Sequence, residues 1–363
     1  MQNLTILHTA STCHNSAQEY RILSEIKAML DRDHKIGLFT PFQTPLYENA
    51  IKMGIDVFTG DIHKNNYRRM KTAYDWLKRY RVDIVNCHDT RDHWLFSISR
   101  LRLRKQCQLL RTLHGPAPLS RAPYNYLLYR YGTSQIIATN EQMHQSLINR
   151  NRLPEGKICT IPNGIDLNIY ERGNQLRARN AVNMPVNVSL IGVTVGSDQE
   201  IDYETLLDSI TQLPEEFFLV IIGDSLTLPQ IKEHTQSLGL DHRVHFAGQT
   251  ENILPWLQAL DLYILPATLE TPLPMTLLQS MACEVPVIST PADSISDVIE
   301  DGETGILFPP HDSQALTLAI ETLFRNSKLY RNLASRGYQV AQERFGITAM
   351  VDTTEALYEK LLA

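Results

Sequence analysis

Short apolar runs alternate with longer amphipathic stretches along the whole chain. Short apolar runs bounded by turn residues are typical of strands buried on both faces, and the stretches between them have helical periodicity. Buried strands separated by helices form parallel sheets through βαβ crossovers. The strands predicted in this way are 4–8, 35–40, 83–88, 108–114, 135–140, 158–161, 187–195, 217–222, 244–246, 262–265 and 285–289.

A chain of 363 residues exceeds what one hydrophobic core usually serves, and a polar segment near its middle divides it. Asn163-Gly164 is a turn signal, and residues 171–183 are polar with weak periodicity. We therefore predict an α/β protein with two tandem doubly wound, Rossmann-like domains and a cleft between them. The predicted parts are residues 1–168, residues 169–345 and a C-terminal helix over 346–363 that packs back toward the N-terminal domain.

Composition excludes several classes of protein. The chain is 43% hydrophobic, too apolar for intrinsic disorder, and no apolar run approaches the ~20 residues that a membrane-spanning helix requires. The N-terminus lacks the pattern of a secretory signal. The cysteines are odd in number, scattered and without a Cys-x-x-Cys pair, which favours a reducing, cytoplasmic location over a disulfide framework or a zinc site. They are Cys13, Cys87, Cys107, Cys159 and Cys283.

The formal charge of −6 is the sum of two unlike halves. Residues 1–168 contain 23 Lys and Arg against 14 Asp and Glu, whereas residues 169–363 contain 11 against 26. The net charges are therefore +9 and −15. Such an asymmetry favours a partner that meets only one half of the chain.

The positive charge is concentrated in two segments, Tyr67–Arg81 and Ser99–Arg111. Basic clusters bind anionic membranes at ~1 kcal/mol per residue near the lipid, and nucleic acid is their other generic partner. The sequence contains no nucleic-acid-binding motif, so we expect no nucleic acid. Two interpretations remain open: a solvated helix face, or peripheral docking at the inner face of the cytoplasmic membrane.

Polar residues that directly follow two neighbouring strands are candidates for a binding site. In doubly wound sheets, ligands lie beyond the carboxyl ends of the strands. His88 and Asp89 follow one predicted strand, and His114 follows the next, which also carries Arg111. These residues predict one wall of a pocket, although a histidine in such a place is often structural or at the surface.

Helix starts supply further candidates. Ser16 precedes the first predicted helix, where it is an anion-binding residue or simply an N-cap. Glu270 follows a strand and precedes the helix that carries Gln279. A carboxylate there can accept hydrogen bonds from sugar hydroxyls, or can interact only with the helix dipole.

The second half carries a series of segments in a characteristic order, and one more segment marks the domain junction. They are Val220–Asp224, Arg243–Gly248, Leu260–Pro266, Leu277–Thr290, Asp301–Pro310 and, at the junction, Ile161–Asp166. Together with Gln18–Arg21 and Leu113–Gly115, these segments resemble the family 4 retaining glycosyltransferases of GT-B architecture. The resemblance covers essentially the whole chain.

This resemblance implies transfer of a sugar from a nucleotide-sugar donor, with retention at the anomeric carbon and no obligatory metal or other cofactor. The C-terminal domain would bind the donor, and the N-terminal domain would bind a glycan or lipid-linked acceptor in cell-surface polysaccharide or lipopolysaccharide biosynthesis. His114 and Glu270 would be the catalytic residues, with His88, Asp89 and Arg111 on the acceptor side. The residues implied for donor binding are Ser16, Ser197, Glu270, Leu273, Pro274, Met275, Thr276 and Gln279.

The chain departs from the family pattern at the donor site. Ser16 and Ala17 stand where two glycines are usual, and Gln279 stands where the second glutamate is usual. Ser197 and Ile201 occupy the positions of a basic pair that neutralises the leaving diphosphate. These departures keep open the alternative of a non-catalytic GT-B-fold subunit that binds or scaffolds within a glycan-assembly complex.

Overall fold

A computed structural model describes the backbone of residues 3–11, 16–59, 66–103, 107–114, 122–196, 201–250, 252–268 and 273–363. It describes their side chains with the exception of residues 16, 17, 66–69, 123 and 293. The chain forms two compact units. Unit 1 consists of Met1–Gly164 and Ile347–Ala363, and unit 2 consists of Ile165–Gly346.

Unit 1 is built on a seven-stranded sheet in which every pairing is parallel, with the order β3-β2-β1-β4-β5-β6-β7. Its strands are β1 Thr5–Thr9, β2 Lys35–Phe39, β3 Asp56–Phe58, β4 Ile84–Cys87, β5 Gln108–Leu113, β6 Gln135–Ala138 and β7 Ile158–Thr160. Its first helices are α1 Ser16–Leu30, α2 Pro45–Lys52, α3 Asn66–Tyr80, α4 Thr90–Arg102, α5 Pro123–Leu127, which continues into a π-helical turn over Leu128–Gly132, and α6 Glu141–Asn149.

Strand alternation explains why this sheet is covered on both faces. Successive side chains of a strand point to opposite faces, so neighbouring apolar residues join different cores. Ile6 and Ile84 pack in a cluster with residues of α1, whereas Leu7 and Val85 pack in a second cluster with residues of α3 and α4. The apolar runs of the sequence are unbroken because both faces of each strand are buried.

Unit 2 repeats the pattern with a six-stranded parallel sheet, in the order β10-β9-β8-β11-β12-β13. Its strands are β8 Ser189–Val195, β9 Phe217–Gly223, β10 Val244–Gly248, β11 Leu262–Leu265, β12 Val287–Ser289 and β13 Ile306–Leu307. Its helices are α7 Gln175–Ala181, α8 Tyr203–Gln212, α9 Leu228–Ser237, α10 Leu254–Ala259, α11 Met275–Ala282, α12 Asp293–Ser296, α13 Ser313–Arg325 and α14 Ser327–Phe345.

Side-chain caps define where many of these helices begin. In each case an Asn, Asp or Thr side chain accepts a hydrogen bond from a backbone N–H in the first turn, which satisfies one of the donors left free there. The capping residues are Thr44, Asp89, Asn140, Asn174, Asp202, Asp312 and Asn326.

The predicted α/β fold with doubly wound parallel sheets is confirmed. Each predicted strand is present, with ends shifted by a few residues at most. Strands β3 and β13 were not predicted, because they have three and two residues and lie at sheet edges, where burial is incomplete. In the part of the chain that the structure describes, no helix combines the length and apolarity needed to cross a membrane.

The last helix, α15 (Ile347–Leu362), belongs to unit 1 and packs against α1. Its fully buried Tyr358 donates a hydrogen bond of 3.0 Å to Glu25 Oε1 of α1 and accepts one of 3.2 Å from Asn86 Nδ2 of β4. At the other end of the contact, Arg32 binds both Glu355 and Asp352. These polar contacts fix the register of α15 on the sheet.

Replacement of Tyr358 by Phe tests this attachment. We expect the free energy of unfolding to fall by about 2 kcal/mol, because removal of the hydroxyl costs the buried carboxylate of Glu25 and the amide of Asn86 one hydrogen bond each. Urea titration followed by circular dichroism measures the change. The control is Tyr338→Phe on α14, where the hydroxyl makes no hydrogen bond to any described residue and the change should stay within about 0.5 kcal/mol. Equal losses in the two variants would show that the Tyr358 hydroxyl contributes nothing specific.

Candidate functional site

Each sheet has one place where the strand order reverses, and this is where doubly wound folds bind ligands. In unit 1 the reversal lies between β1 and β4, and in unit 2 it lies between β8 and β11. The polar residues beyond these strand ends are therefore the candidates for function.

Three histidines form a hydrogen-bonded row at the reversal in unit 1. His88 follows β4, and its Nδ1 lies 2.8 Å from Nε2 of His114, which follows β5. On its other side, His88 Nε2 lies 3.0 Å from Nδ1 of His8 in β1, and these two rings are stacked. The predicted pair His88 and His114 is thus brought together, and His8 is a third member that the sequence analysis missed.

Burial keeps these rings neutral. It lowers the pKa of His88 and His114 well below the ordinary histidine value, and nearby Arg111 and Arg21 lower both further. Burial also lowers the pKa of His8, although the carboxylate of Glu25 opposes that shift. A neutral imidazole has one donor nitrogen and one acceptor nitrogen, so the row can pass hydrogen bonds in either direction.

Two aspartates hold the segment that follows β1. The backbone N–H of Ser11 donates to Asp89 Oδ2 at 2.6 Å and to Asp92 Oδ2 at 2.8 Å, and the Ser11 hydroxyl also donates to Asp92. Asp89, predicted on the acceptor side, is the N-cap of α4 and is buried. Burial, with the charge of Asp89, raises the pKa of Asp92 to about 8.

The structure corrects the surface role given to part of the basic segment Ser99–Arg111. Arg100 and Arg111 are buried, and their guanidinium groups donate to backbone carbonyls, Arg100 to Gly132 O and Arg111 to Cys87 O and Thr112 O. Arg111 therefore braces the ends of β4 and β5 and adds no charge to the surface. Sequence could not separate it from Arg102, which is exposed.

Three hydroxyl groups meet at the strand reversal in unit 2. Thr194 Oγ1, near the end of β8, lies 2.7 Å from the hydroxyl of Tyr263 in β11 and 2.9 Å from Thr276 Oγ1 in the first turn of α11. The Tyr263 and Thr276 hydroxyls are 3.0 Å apart. The cluster places neutral hydrogen-bonding groups under the start of α11, whose first N–H groups have no partner within the helix.

Five of the residues predicted for donor binding lie before or in this helix. Leu273 and Pro274 precede α11, Met275 and Thr276 begin it, and all four are half-buried. Gln279 lies three residues beyond Thr276, on the same face of the helix. It is 6% exposed, and its side chain makes no hydrogen bond to any described residue. A buried amide that bonds none of the described residues is suited to bind a ligand.

Gly223 shapes the adjacent strand end. It closes β9 with a φ of +111°, and a Cβ built there would lie 2.1 Å from the carbonyl oxygen of Val195, the last residue of β8. Only glycine permits this close approach of the two strands at the site.

Some predicted site residues lie outside the described residues. These are Glu270 and Ser197; Ser16 begins α1, but its side chain is not described. Among the described residues, no group of three His, Cys, Asp or Glu side chains is arranged to hold a metal ion.

Two family models match the chain, one in each half. The model described as "Glycosyltransferase Family 4" matches residues 18–169, and the model described as "Glycosyl transferases group 1" matches residues 195–340. The first matched segment includes His88 and His114 but not His8. The second includes Tyr263, Thr276 and the rest of α11 but not Thr194.

Curated relatives include glycosyltransferases. N-acetyl-alpha-D-glucosaminyl L-malate synthase of Bacillus anthracis is 24% identical over 359 residues, covering 93% of this chain and 92% of its own length. The lipopolysaccharide core biosynthesis glycosyltransferase LpsE of Rhizobium meliloti strain 1021 is 30% identical over 161 residues, covering 44% of this chain and 46% of its own length.

Solved structures share the fold over the whole chain. A glycosyltransferase from Rickettsia africae superposes with a TM-score of 0.89 at 18% identity, covering 100% of this chain and 99% of that one. Anabaena HepE, solved in complex with UDP and glucose, has a TM-score of 0.82 at 20% identity, covering 99% and 100%.

The raised pKa of Asp92 predicts a pH dependence of stability. Asp92 keeps its proton up to about pH 8 in the folded state, whereas an unfolded aspartate loses its proton near pH 4. The contribution of Asp92 to stability is therefore complete below pH 4 and is lost as the pH rises to about 8. In Asp92→Asn, the decline in unfolding free energy between pH 5 and 8.5 should be shallower than in the wild type. Urea titrations at several pH values measure both slopes, and the exposed Asp241→Asn controls for net charge. Parallel slopes for wild type and Asp92→Asn would refute the assignment.

Replacement of Gly223 by Ala tests the close approach of β8 and β9. We expect a loss of about 2–4 kcal/mol in unfolding free energy, from backbone strain and the clash with Val195 O. Gly239→Ala is the matched control, because Gly239 also has a positive φ of +69° but no heavy atom lies within 4 Å of its added Cβ. The control should lose about 1–2 kcal/mol from strain alone. A Gly223→Ala loss no larger than this would contradict the steric argument.

Proposed function

The chain belongs to the family 4 glycosyltransferases, and we propose that it transfers a sugar from a nucleotide-sugar donor to a glycan or lipid-linked acceptor. The transfer retains configuration at the anomeric carbon, requires no metal, and takes place in the assembly of cell-surface polysaccharide or lipopolysaccharide. The name of the R. meliloti relative supports the lipopolysaccharide role.

The observation that carries the donor proposal is the start of α11. A diphosphate needs hydrogen-bond donors, and a helix N-terminus supplies backbone N–H groups and a favourable dipole. The hydroxyls of Thr194, Tyr263 and Thr276 surround this start, and the amide of Gln279, which bonds none of the described residues, would bind a ribose hydroxyl. With Ser197 and Ile201 at the positions where the family has its basic pair, neutral donors provide the stabilisation that cations usually give.

The nucleotide carried by the donor can also be proposed. HepE, which shares the fold, is described in complex with UDP and glucose, and this supports a UDP-sugar as the first donor to test. Glu270 would contact hydroxyls of the transferred sugar, as the family resemblance implies.

The acceptor side of the proposal depends on unit 1. His114 and His88 stand at the strand reversal, where His114 would lie beside the reacting sugar. Four basic residues are exposed along α3 and directly after it: Lys71, Lys78, Arg79 and Arg81. This basic surface suits peripheral binding at the inner, anionic face of the cytoplasmic membrane, where a lipid-linked acceptor is held.

Donor kinetics test the proposal. A panel of UDP-, GDP- and ADP-sugars is assayed for release of nucleoside diphosphate, with lipid-linked glycans and, after the B. anthracis relative, L-malate as acceptors. With the active donor, Gln279→Ala should raise KM about 5–10-fold with little change in kcat, because a ribose contact far from the reacting centre contributes equally to ground and transition states. The exposed Gln212→Ala on α8 is the control and should match the wild type.

Two outcomes would contradict the proposal. A Gln279→Ala variant with lowered kcat and unchanged KM would remove Gln279 from the ribose site. The absence of both turnover and nucleotide binding across the whole panel would instead favour the non-catalytic scaffold subunit. Binding is measured by thermal shift, since a ligand at 100 times its Kd adds about 2.7 kcal/mol of stability.

A further inference from the structure

The histidine row of unit 1 ends close to a buried carboxylate, to which His8 Nε2 is near but not hydrogen-bonded. Glu25 Oε1 lies 3.9 Å from His8 Nε2, and both side chains are fully buried. Glu25 also accepts a hydrogen bond of 3.1 Å from Arg21 Nε and one of 3.0 Å from the Tyr358 hydroxyl. Burial raises the pKa of Glu25, but Arg21, His8 and these hydrogen bonds more than offset it, so the group is ionised.

The other end of the row is an unpaired nitrogen. His114 Nδ1 is buried and has no hydrogen-bond partner among the described residues. The order along the row is therefore Glu25, His8, His88 and His114, with each inter-ring hydrogen bond joining an Nδ1 to an Nε2. Because each neutral ring carries one proton, both hydrogen bonds must run in the same direction.

The charge of Glu25 decides that direction. An ionised carboxylate accepts hydrogen bonds and cannot donate, so it favours an N–H on the nearest nitrogen, His8 Nε2. Arg21 opposes this preference, but its Nε binds Oε2 of the carboxylate, whereas Oε1 is the oxygen 3.9 Å from His8 Nε2. With the proton of His8 on Nε2, its Nδ1 must accept from His88 Nε2–H, and His88 Nδ1 must accept from His114 Nε2–H.

We propose that Glu25 and His8 are positioning residues that, through His88, hold His114 in the Nε2–H tautomer with an unprotonated Nδ1 that accepts a hydrogen bond from a ligand hydroxyl. The tautomers are a property of the chain alone. Only the assignment of the ligand as a sugar hydroxyl rests on the proposed function. The opposite direction would give His114 an Nδ1–H, which binds a carbonyl or a phosphate oxygen instead.

Nuclear magnetic resonance reads the tautomers directly. In the full-length protein labelled with ¹⁵N-histidine, long-range ¹H–¹⁵N correlations distinguish a protonated from an unprotonated ring nitrogen and Nδ1 from Nε2. His114 is assigned by the loss of its signals in His114→Gln. We expect Nε2–H and unprotonated Nδ1 for His114 at pH 7.5. An Nδ1–H tautomer or a cationic ring in the wild type would overturn the proposal without any variant.

Replacement of His8 by Phe cuts the link to Glu25 while keeping a ring stacked on His88. An Nε2–H on His88 would then be buried without an acceptor, so the proton should move to Nδ1 and donate to His114 Nε2. We therefore expect the Nδ1–H form of His114 to become the major form, with kcat at least tenfold lower and donor KM unchanged within about twofold. Retention of the Nε2–H form of His114 in His8→Phe would overturn the proposal.

The matched control is His93→Phe on α4. His93 is fully buried, bonds Thr133 Oγ1 at 2.8 Å and packs against Tyr129, but it is not part of the row. It should reproduce any loss of stability from replacing a buried histidine and leave the His114 tautomer unchanged. A flip of His114 in this control as well would also overturn the proposal. If His114 has the Nε2–H tautomer but the protein transfers no sugar, the proposed function is refuted and the assignment of the tautomers stands.

Discussion

The buried ion pair of Arg21 and Glu25 in α1 is the interaction on which much of unit 1 depends. A charge removed from water is tolerated only when it is paired and hydrogen-bonded, and both members meet that condition. Arg21 Nη1 donates to the carbonyls of Ile161 and Pro162, so it holds the segment that follows β7. Glu25 anchors α15 through Tyr358 and faces His8 in β1. This ion pair therefore links α1 to α15, to the segment that follows β7 and to the histidine row.

The two candidate sites solve the problem of binding polar ligands in different ways. Unit 1 uses titratable groups whose protonation is set by burial, as in His88, His114 and Asp92. Unit 2 uses neutral hydroxyls and a helix start, with Gly223 allowing the strands to approach closely. Neutral donors are weaker than cations toward a diphosphate, so under the proposed function the site in unit 2 depends on a preorganised arrangement of these groups.

The sequence was sufficient for the fold and for part of the sites. Periodicity located the buried strands because burial on both faces leaves unbroken apolar runs. His88 and His114 could then be predicted at the site because each directly follows a strand. It could not find His8, which lies inside a strand where a single polar residue gives no signal. Glu25 was missed for a similar reason, since an acidic residue on a helix is usually solvated. Arg100 and Arg111 were misassigned to the surface because only tertiary contacts distinguish a buried arginine from an exposed one.

The stereochemistry of donor cleavage shows whether this chain activates a nucleotide-sugar and cleaves it with retention, as we propose. Proton NMR of the sugar first released from an α-linked nucleotide-sugar, recorded before the anomers equilibrate, requires no knowledge of the acceptor. We expect the α-anomer to appear first and the β-anomer to follow only by mutarotation. Initial release of the β-anomer, or no release from any donor in the panel, would contradict the proposal.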